Sequence, residues 1–264
     1  MENNERLLPF FDCEFQGAKE RAIFRDHFIQ LQLRAVERRL GSASHRWCTL
    51  HYKHGTWLLW LIFFSLSKTL YRNDTKQLHR RVLSISSTIK LDDIDEKMLA
   101  AVIVAEDHRF LMHKGVDHVA FLRATASCLR GRRQGGSTIE QQLVRVISGD
   151  YRITLWRKIK EMALAVRVCD ILSKENLLRL YLEIAYFGSD ADGVKALTKR
   201  LGFEINSISL EQAAQIAACL KYPLGKNEEA HAATRRARRV KHIIARLNAL
   251  GAVVGDGGLR RAEQ

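Results

Sequence analysis

The chain has 264 residues, 47% of them apolar, with only two prolines and a formal net charge of +14. That is enough apolar material for a sizeable core, and the length suits one domain plus an appendage. The five cysteines, Cys13, Cys48, Cys128, Cys169 and Cys219, form no CxxC pair and no Cys/His cluster with zinc spacing, and their odd number argues against a disulfide framework. Many Ala, Leu, Arg and Glu predict a mostly helical protein. The positive charge points to acidic partners: nucleic acid, anionic lipid or phosphorylated substrates.

In chain order, residues 1–54 mix charges and aromatics, with an amphipathic helix expected around 18–40. Residues 56–67, TWLLWLIFFSLS, are the longest apolar run. Extended to Leu70 the run makes a helix of roughly 22 Å, short of the ~30 Å of a bilayer core. Trp57, Trp60 and Tyr71 look like interfacial aromatics, and Lys68 can snorkel outward. Residues 55–71 are therefore expected to be membrane-embedded, with a core or interfacial helix as the plainer alternative. Basic residues flank both ends, so charge does not fix an orientation. Residues 72–91 are polar and contain a β-like stretch, VLSISSTI.

Helix signals are dense from Asp93 onward. Asp93 to Glu96 reads as a capping box for a helix running to about Ala105. Asp117 caps a helix ending near Gly131, and GRRQGG (131–136) is a basic loop. Residues 137–148 and 155–172 read as helices, the second with Ile159, Met162, Ala163, Val166 and Cys169 on one apolar face. Ser173 caps the next helix, which Gly188 ends. Ser209 to Gln212 is a capping box, and Pro223 closes that helix. The last helix, about 231–250, points Val240, Ile243, Ile244, Leu247 and Leu250 inward and its arginines outward. The cysteines among these helices, Cys128, Cys169 and Cys219, are expected to be small buried hydrophobes. No βα alternation appears, so a Rossmann-like sheet is not expected.

Two stretches carry chemistry. Residues 101–115, AVIVAEDHRFLMHKG, run from an apolar helix into adjacent acids, Glu106 and Asp107. A helix C-terminus disfavours negative charge, and a neighbouring acid adds repulsion; both should raise the carboxyl pKa. A carboxylate so tuned suits a general base on a sugar hydroxyl. The bland alternative is a solvated helix end. Residues 133–145, RQGGSTIEQQLVR, place paired glycines and two hydroxyls at a helix start, with Arg132, Arg133 and Arg145 nearby. Backbone N–H groups and the helix's positive end then face one place, which suits a pyrophosphate. No GK[ST] follows, so the loop is not a Walker A motif.

EDHRFLMHKG followed by QGGSTIEQQLVR resembles the peptidoglycan glycosyltransferases, glycosyltransferase family 51. RKIKEMALAVRV (157–168), KENLLRLYLEIAYFG (174–188) and RRARRVKHIIARL (235–247) agree with it in order and spacing, so the resemblance spans about residues 80–250. It implies a mainly α, lysozyme-like, two-lobed domain over 72–251, anchored by an N-terminal membrane helix at 55–71 and followed by a tail at 252–264. It also implies Glu106 as general base, Asp107 as a required neighbour and Glu161 as a second carboxylate near a leaving pyrophosphate. Phe110, His113, Gln134, Gly135, Gly136, Ser137, Thr138, Gln142, Arg145, Arg157 and Lys158 match positions that bind substrate. Gly115 and Gln141 match as well.

By the same resemblance the reaction would be polymerisation of lipid II by a monofunctional enzyme, with inversion and loss of undecaprenyl pyrophosphate. No cofactor would be required, although a divalent cation, Mg or Mn, could assist. Partners would be lipid II, the carrier-linked glycan, membrane lipids and penicillin-binding transpeptidases, and not nucleic acid. The place would be the bacterial cytoplasmic membrane, single-pass, with the catalytic domain outside. Four features depart from the family pattern. Arg145-Val146 stands for Lys-Asn, Glu140 for Thr, Glu183 for Asn, and LGKNEEA for a YNP-like segment. They leave open a weakened or inactive relative that binds lipid II or scaffolds cell-wall enzymes. A muramidase and a nucleic-acid binder are two further rivals. The pyrophosphate-type loop argues against the muramidase, and the apolar run against the nucleic-acid binder. Ser65–Lys68 and Ser87–Lys90 match Ser-x-x-Lys by chance: neither has SDN or KTG partners, and too little chain remains for a transpeptidase domain.

Overall fold

A computed structural model describes residues 57–88, 94–131, 135–226 and 230–249. The expected amphipathic helix at 18–40, Cys13, Cys48, Asp93, Arg132, Arg133, Gln134, Leu250, Gly251 and the tail lie outside these residues. The described chain is mainly helical. Its helices are α1 (residues 57–68), α2 (Arg72–Thr88), α3 (Glu96–Glu106), α4 (His118–Leu129), α5 (Ile139–Ser148), α6 (Leu155–Val168), α7 (Lys174–Ile184), α8 (Val194–Leu201), α9 (Leu210–Lys221) and α10 (Ala230–Ala249). A single 3-10 turn, Phe110–Met112, follows α3. No strand occurs among the described residues; two isolated bridges join Tyr186 to Asp192 and Gly188 to Leu224.

Helix α3 is the centre of the fold. Its residues from Met98 to Ala105 are all buried, so it is apolar on every side and must be enclosed. Helices α9 and α10 pack against it. The predicted capping box is replaced by a plain N-cap two residues on: Asp95 accepts from Lys97 N–H at 2.8 Å, and Met98, three residues further, cannot return a bond. Asp117, Ser173 and the Ser209–Gln212 box cap α4, α7 and α9 as expected.

Two expectations for the N-terminal side are corrected. VLSISSTI is not β-like: its described part completes α2, because Leu78, Val82 and Ile85 recur at helical spacing and dock onto the main core. Nor is α1 the membrane-embedded helix expected at 55–71: it packs on the protein, as the plainer alternative had it. Phe63 and Ser67 are buried, and Phe63 packs with Val116, Met162, Ala163 and Val166 against α6. Lys68 is exposed and lies 4.4 Å over the Phe64 ring, with Arg167 at 4.9 Å. Among the described residues no helix is long and apolar enough to cross a membrane. The outer face of α1 nonetheless exposes Trp57, Leu58 and Ile62.

The apolar face read for α6 divides between two cores. Met162, Ala163 and Val166 face α1, whereas Leu164, Ala165, Val168 and Cys169 face the main core. Helix α7 ends at Ile184, four residues before Gly188, which instead bridges to Leu224 beside Pro223. Arg200 donates to the carbonyls of Ser189, Leu224 and Gly225, which holds the start of the LGKNEEA segment in place. Cys169 and Cys219 are buried as expected, but Cys128 is exposed.

Candidate active site

Glu106 is the last residue of α3, so the buried helix delivers its carboxylate to the surface of the core. Its side chain is 14% exposed. Gln142 on α5 donates Nε2–H to Oε2 at 3.1 Å, and Tyr181 on α7 donates its hydroxyl to Gln142 Oε1 at 2.8 Å, which fixes the amide's direction. Burial, and next the charge on Glu106, push the Tyr181 phenol up, so it remains a donor. Arg239 on α10 reaches Glu106 Oε1 at 3.3 Å and also donates to the Ala105 carbonyl. This explains how a helix can end in an acid. The cation that a C-terminus favours comes from another helix and satisfies one of the orphan carbonyls.

Asp107 is buried beside it. His113 Nε2 stands 3.0 and 3.2 Å from its two oxygens, and the Ile139 N–H at the start of α5 donates to it at 3.2 Å. The adjacent acids lead one to expect repulsion that raises both. Burial does push the Asp107 carboxyl up, but His113, Lys174 and the Ile139 N–H outweigh it and hold the carboxyl below the ordinary value. A carboxyl with a depressed folded-state pKa binds its proton more readily when unfolded, so its contribution is present above the unfolded value near 3.9 and is lost as pH falls through the folded one. Asp107→Asn should therefore lower the urea midpoint at neutral pH. The difference from wild type should shrink as pH is taken below about 4.

The second carboxylate, Glu161 on α6, is 3% exposed and surrounded by cations. Arg145 binds it with two parallel bonds, Nε to Oε2 at 2.9 Å and Nη2 to Oε1 at 3.0 Å. Arg157 donates to Oε2, and Lys158 Nζ donates to Oε1 at 2.6 Å. Burial pushes the Glu161 carboxyl up, but Arg145 and Lys158 outweigh that and bring it down; burial also lowers Lys158. Three cations on one carboxylate leave two positive charges unbalanced. Lys158 extends the cluster to the Ser137 hydroxyl at 2.8 Å. Gln142 and Arg145 are three residues apart on α5, so they share one face. That face holds Glu106 at one point and Glu161 about one turn further along.

The loop before α5 is held by packing. Thr138 caps α5 and donates to the Gly115 carbonyl at 2.7 Å. The paired glycines suggest freedom for anion approach or a positive φ at Gly136. Its requirement is space: a Cβ there would stand 2.5 Å from Ala124 Cβ on α4. Gly135 has open space around it. Phe110, His113 and Thr138, matched as substrate-binding, are buried.

Asp107, His113 and Asp117 offer ligand atoms within 4.8 Å of one another. They do not fit a divalent ion. Asp107 is engaged by His113 and Ile139, and Asp117 pairs with Arg109 at 2.7 Å while capping α4. No step is derived through a metal there.

The transglycosylase family model matches residues 74–248, which contain both carboxylates, their cations and the loop before α5. The chain belongs to this transglycosylase family. The resemblance to peptidoglycan glycosyltransferases is thereby borne out at the level of the family. Relatives include penicillin-binding protein 1A of Aquifex aeolicus (strain VF5), 38% identical over 146 residues that cover 54% of this chain and 20% of the relative. Penicillin-binding protein 1A of Escherichia coli (strain K12) is 41% identical over 138 residues, 51% of this chain and 16% of the relative. Penicillin-binding protein 1A of Rickettsia felis is 32% identical over 193 residues, 71% of this chain and 24% of the relative. The chain thus spans a quarter or less of the length of these relatives.

Within this transglycosylase, two of the departures from the family pattern have ion-pair partners of their own. Glu183 pairs with Lys195 at 2.8 Å. Arg145 uses a planar fork that a lysine lacks to bind both oxygens of Glu161. Sequence reasoning missed Arg239, Tyr181 and Lys174. All three lie in the quoted blocks, but only the packing of α7 and α10 shows what they face.

Proposed function

We propose that this transglycosylase polymerises lipid II into glycan strands, with inversion and release of undecaprenyl pyrophosphate. The observation that carries the reading is the asymmetry along α5. One carboxylate, Glu106, is held by an amide and a single arginine. The other, Glu161, sits among three cations. In this reading Glu106 accepts the proton of the acceptor 4-hydroxyl as that oxygen bonds to the donor's anomeric carbon. The bond from that carbon to the pyrophosphate oxygen breaks with its electron pair. The leaving group carries the new charge toward Arg145, Arg157 and Lys158, whose interaction strengthens as charge develops. Asp107 positions Glu106. The exposed Trp57, Leu58 and Ile62, with Leu155 and Trp156 at the start of α6, would lie at the surface of the bilayer that holds the lipid carrier. Penicillin-binding transpeptidases would cross-link the product.

Purified protein incubated with labelled lipid II should convert it to polymeric glycan. Unchanged lipid II after prolonged incubation would sink the reading, and cleavage of preformed glycan would support a muramidase instead. Arg145→Ala should lower turnover by about 10- to 100-fold, with a smaller change in KM, because the lost charge matters most when the leaving group is anionic. Arg145→Lys should retain more, since either cation serves a phosphate, but it gives up one of the two bonds to Glu161. Steady-state kinetics on lipid II decide both.

A further inference from the structure

Glu140 occupies the first turn of α5 and is completely buried. Lys174, at the start of α7, donates its ammonium to Glu140 Oε1, and Cys169 Sγ lies 3.7 Å from the same oxygen. Burial opposes the charge on Lys174, but the Glu140 carboxylate holds it above the ordinary lysine value. The pair touches the turn after Glu106 at two points. Lys174 Nζ sits 4.2 Å over the Phe110 ring, and Glu140 Oε1 lies 3.8 Å from His113 Nδ1. His113 is enclosed, and its other ring nitrogen contacts Asp107. His113 Nδ1 has no hydrogen-bond partner, and Glu140 Oε1 is the carboxylate oxygen that faces it.

A buried ion pair is weak evidence for stability, because well-packed apolar side chains often serve as well or better. What distinguishes this pair is where it leads. Its contacts run through Phe110 and His113 to Asp107, the residue that joins the Glu106 backbone to the start of α5. We propose that the Glu140–Lys174 pair is a positioning element for the candidate general base, acting through His113 on Asp107. The proposal rests on the reading of Glu106 as base. It gives the Glu140 departure a purpose: a charge stands where the family pattern has a hydroxyl.

The test compares wild type with Glu140→Gln, Lys174→Met and the double variant, by lipid II kinetics, thermal melting and the ring-nitrogen resonances of His113, assigned by difference with His113→Asn. Each single variant should lower kcat about tenfold with KM within about twofold, the scale expected when a catalytic group is displaced by a fraction of an ångström. The double variant removes both charges and should recover melting temperature while kcat stays low. The His113 resonances should move in all three. The proposal is overturned if the folded double variant regains wild-type kcat, if the loss appears in KM, or if the His113 resonances stay in place. Should Glu140→Gln fail to fold, the double variant decides. A wild-type protein that makes no polymer would defeat the functional reading alone; the resonances would still report whether the pair governs His113.

Discussion

Replacing Glu106 by glutamine is expected to reduce polymerisation of lipid II by about a hundredfold or more, the scale of a general base. The amide has nearly the same size and keeps one oxygen, enough for Gln142 or for Arg239 but not for both, since each donates to a different oxygen of Glu106. It therefore gives up one of these contacts along with the ability to take the proton. The fold should survive, because α3 is held by its eight buried residues from Met98 to Ala105 and not by its last side chain. The measurement is initial rate against labelled lipid II, with the melting temperature as control. Residual activity above about a tenth of wild type, in a folded variant, would mean that another group removes the proton.

Gly115→Val is expected to cost about 3–5 kcal/mol of stability. The backbone at Gly115 has φ +85°, where an L side chain is strained, and a Cβ would stand 2.5 Å from the Ala165 carbonyl oxygen. That neighbour is the backbone of α6 and cannot swing aside. Gly115 also presents its carbonyl to Thr138 and Gln141, so the strain would reach the cap of α5. Against a total stability of about 5–15 kcal/mol, the variant should unfold at far lower urea or fail to accumulate. Gly136→Ala should show a smaller loss through its contact with Ala124, and Gly135→Val almost none, since nothing crowds that position. Urea midpoints of the three rank the effects. An equal loss at Gly135 and Gly115 would contradict this packing.

The helices were largely legible in the sequence because their signals are local. Asp117, Ser173 and Ser209 each announce a helix start through a side chain that bonds two or three residues on. Glu106, Asp107 and Glu161 were legible because their motifs are contiguous. What stayed hidden depends on residues far apart in the chain. VLSISSTI looks β-like by composition, yet Leu78 and Val82 find the core only as a helical stripe. The sign of the shift at Asp107 required knowing that His113, Lys174 and the start of α5 converge on it. Gly136, in the loop before α5, has no room for a Cβ because of Ala124, twelve residues earlier on α4. Arg239 lies 133 residues from Glu106, and no periodicity connects them.

Helix α6 faces two ways. One side carries Met162, Ala163 and Val166, onto which α1 is packed, and its first turns carry Arg157, Lys158 and Glu161. A displacement of α1 is therefore delivered to the same rod that bears the cations. A helix is stiff over this length, so its tilt and not its bending would respond. In mechanical terms α6 is a lever with α1 at one face and the cluster of Arg157, Lys158 and Glu161 at its end. The position of that cluster relative to α1 is set by the apolar contacts around Phe63.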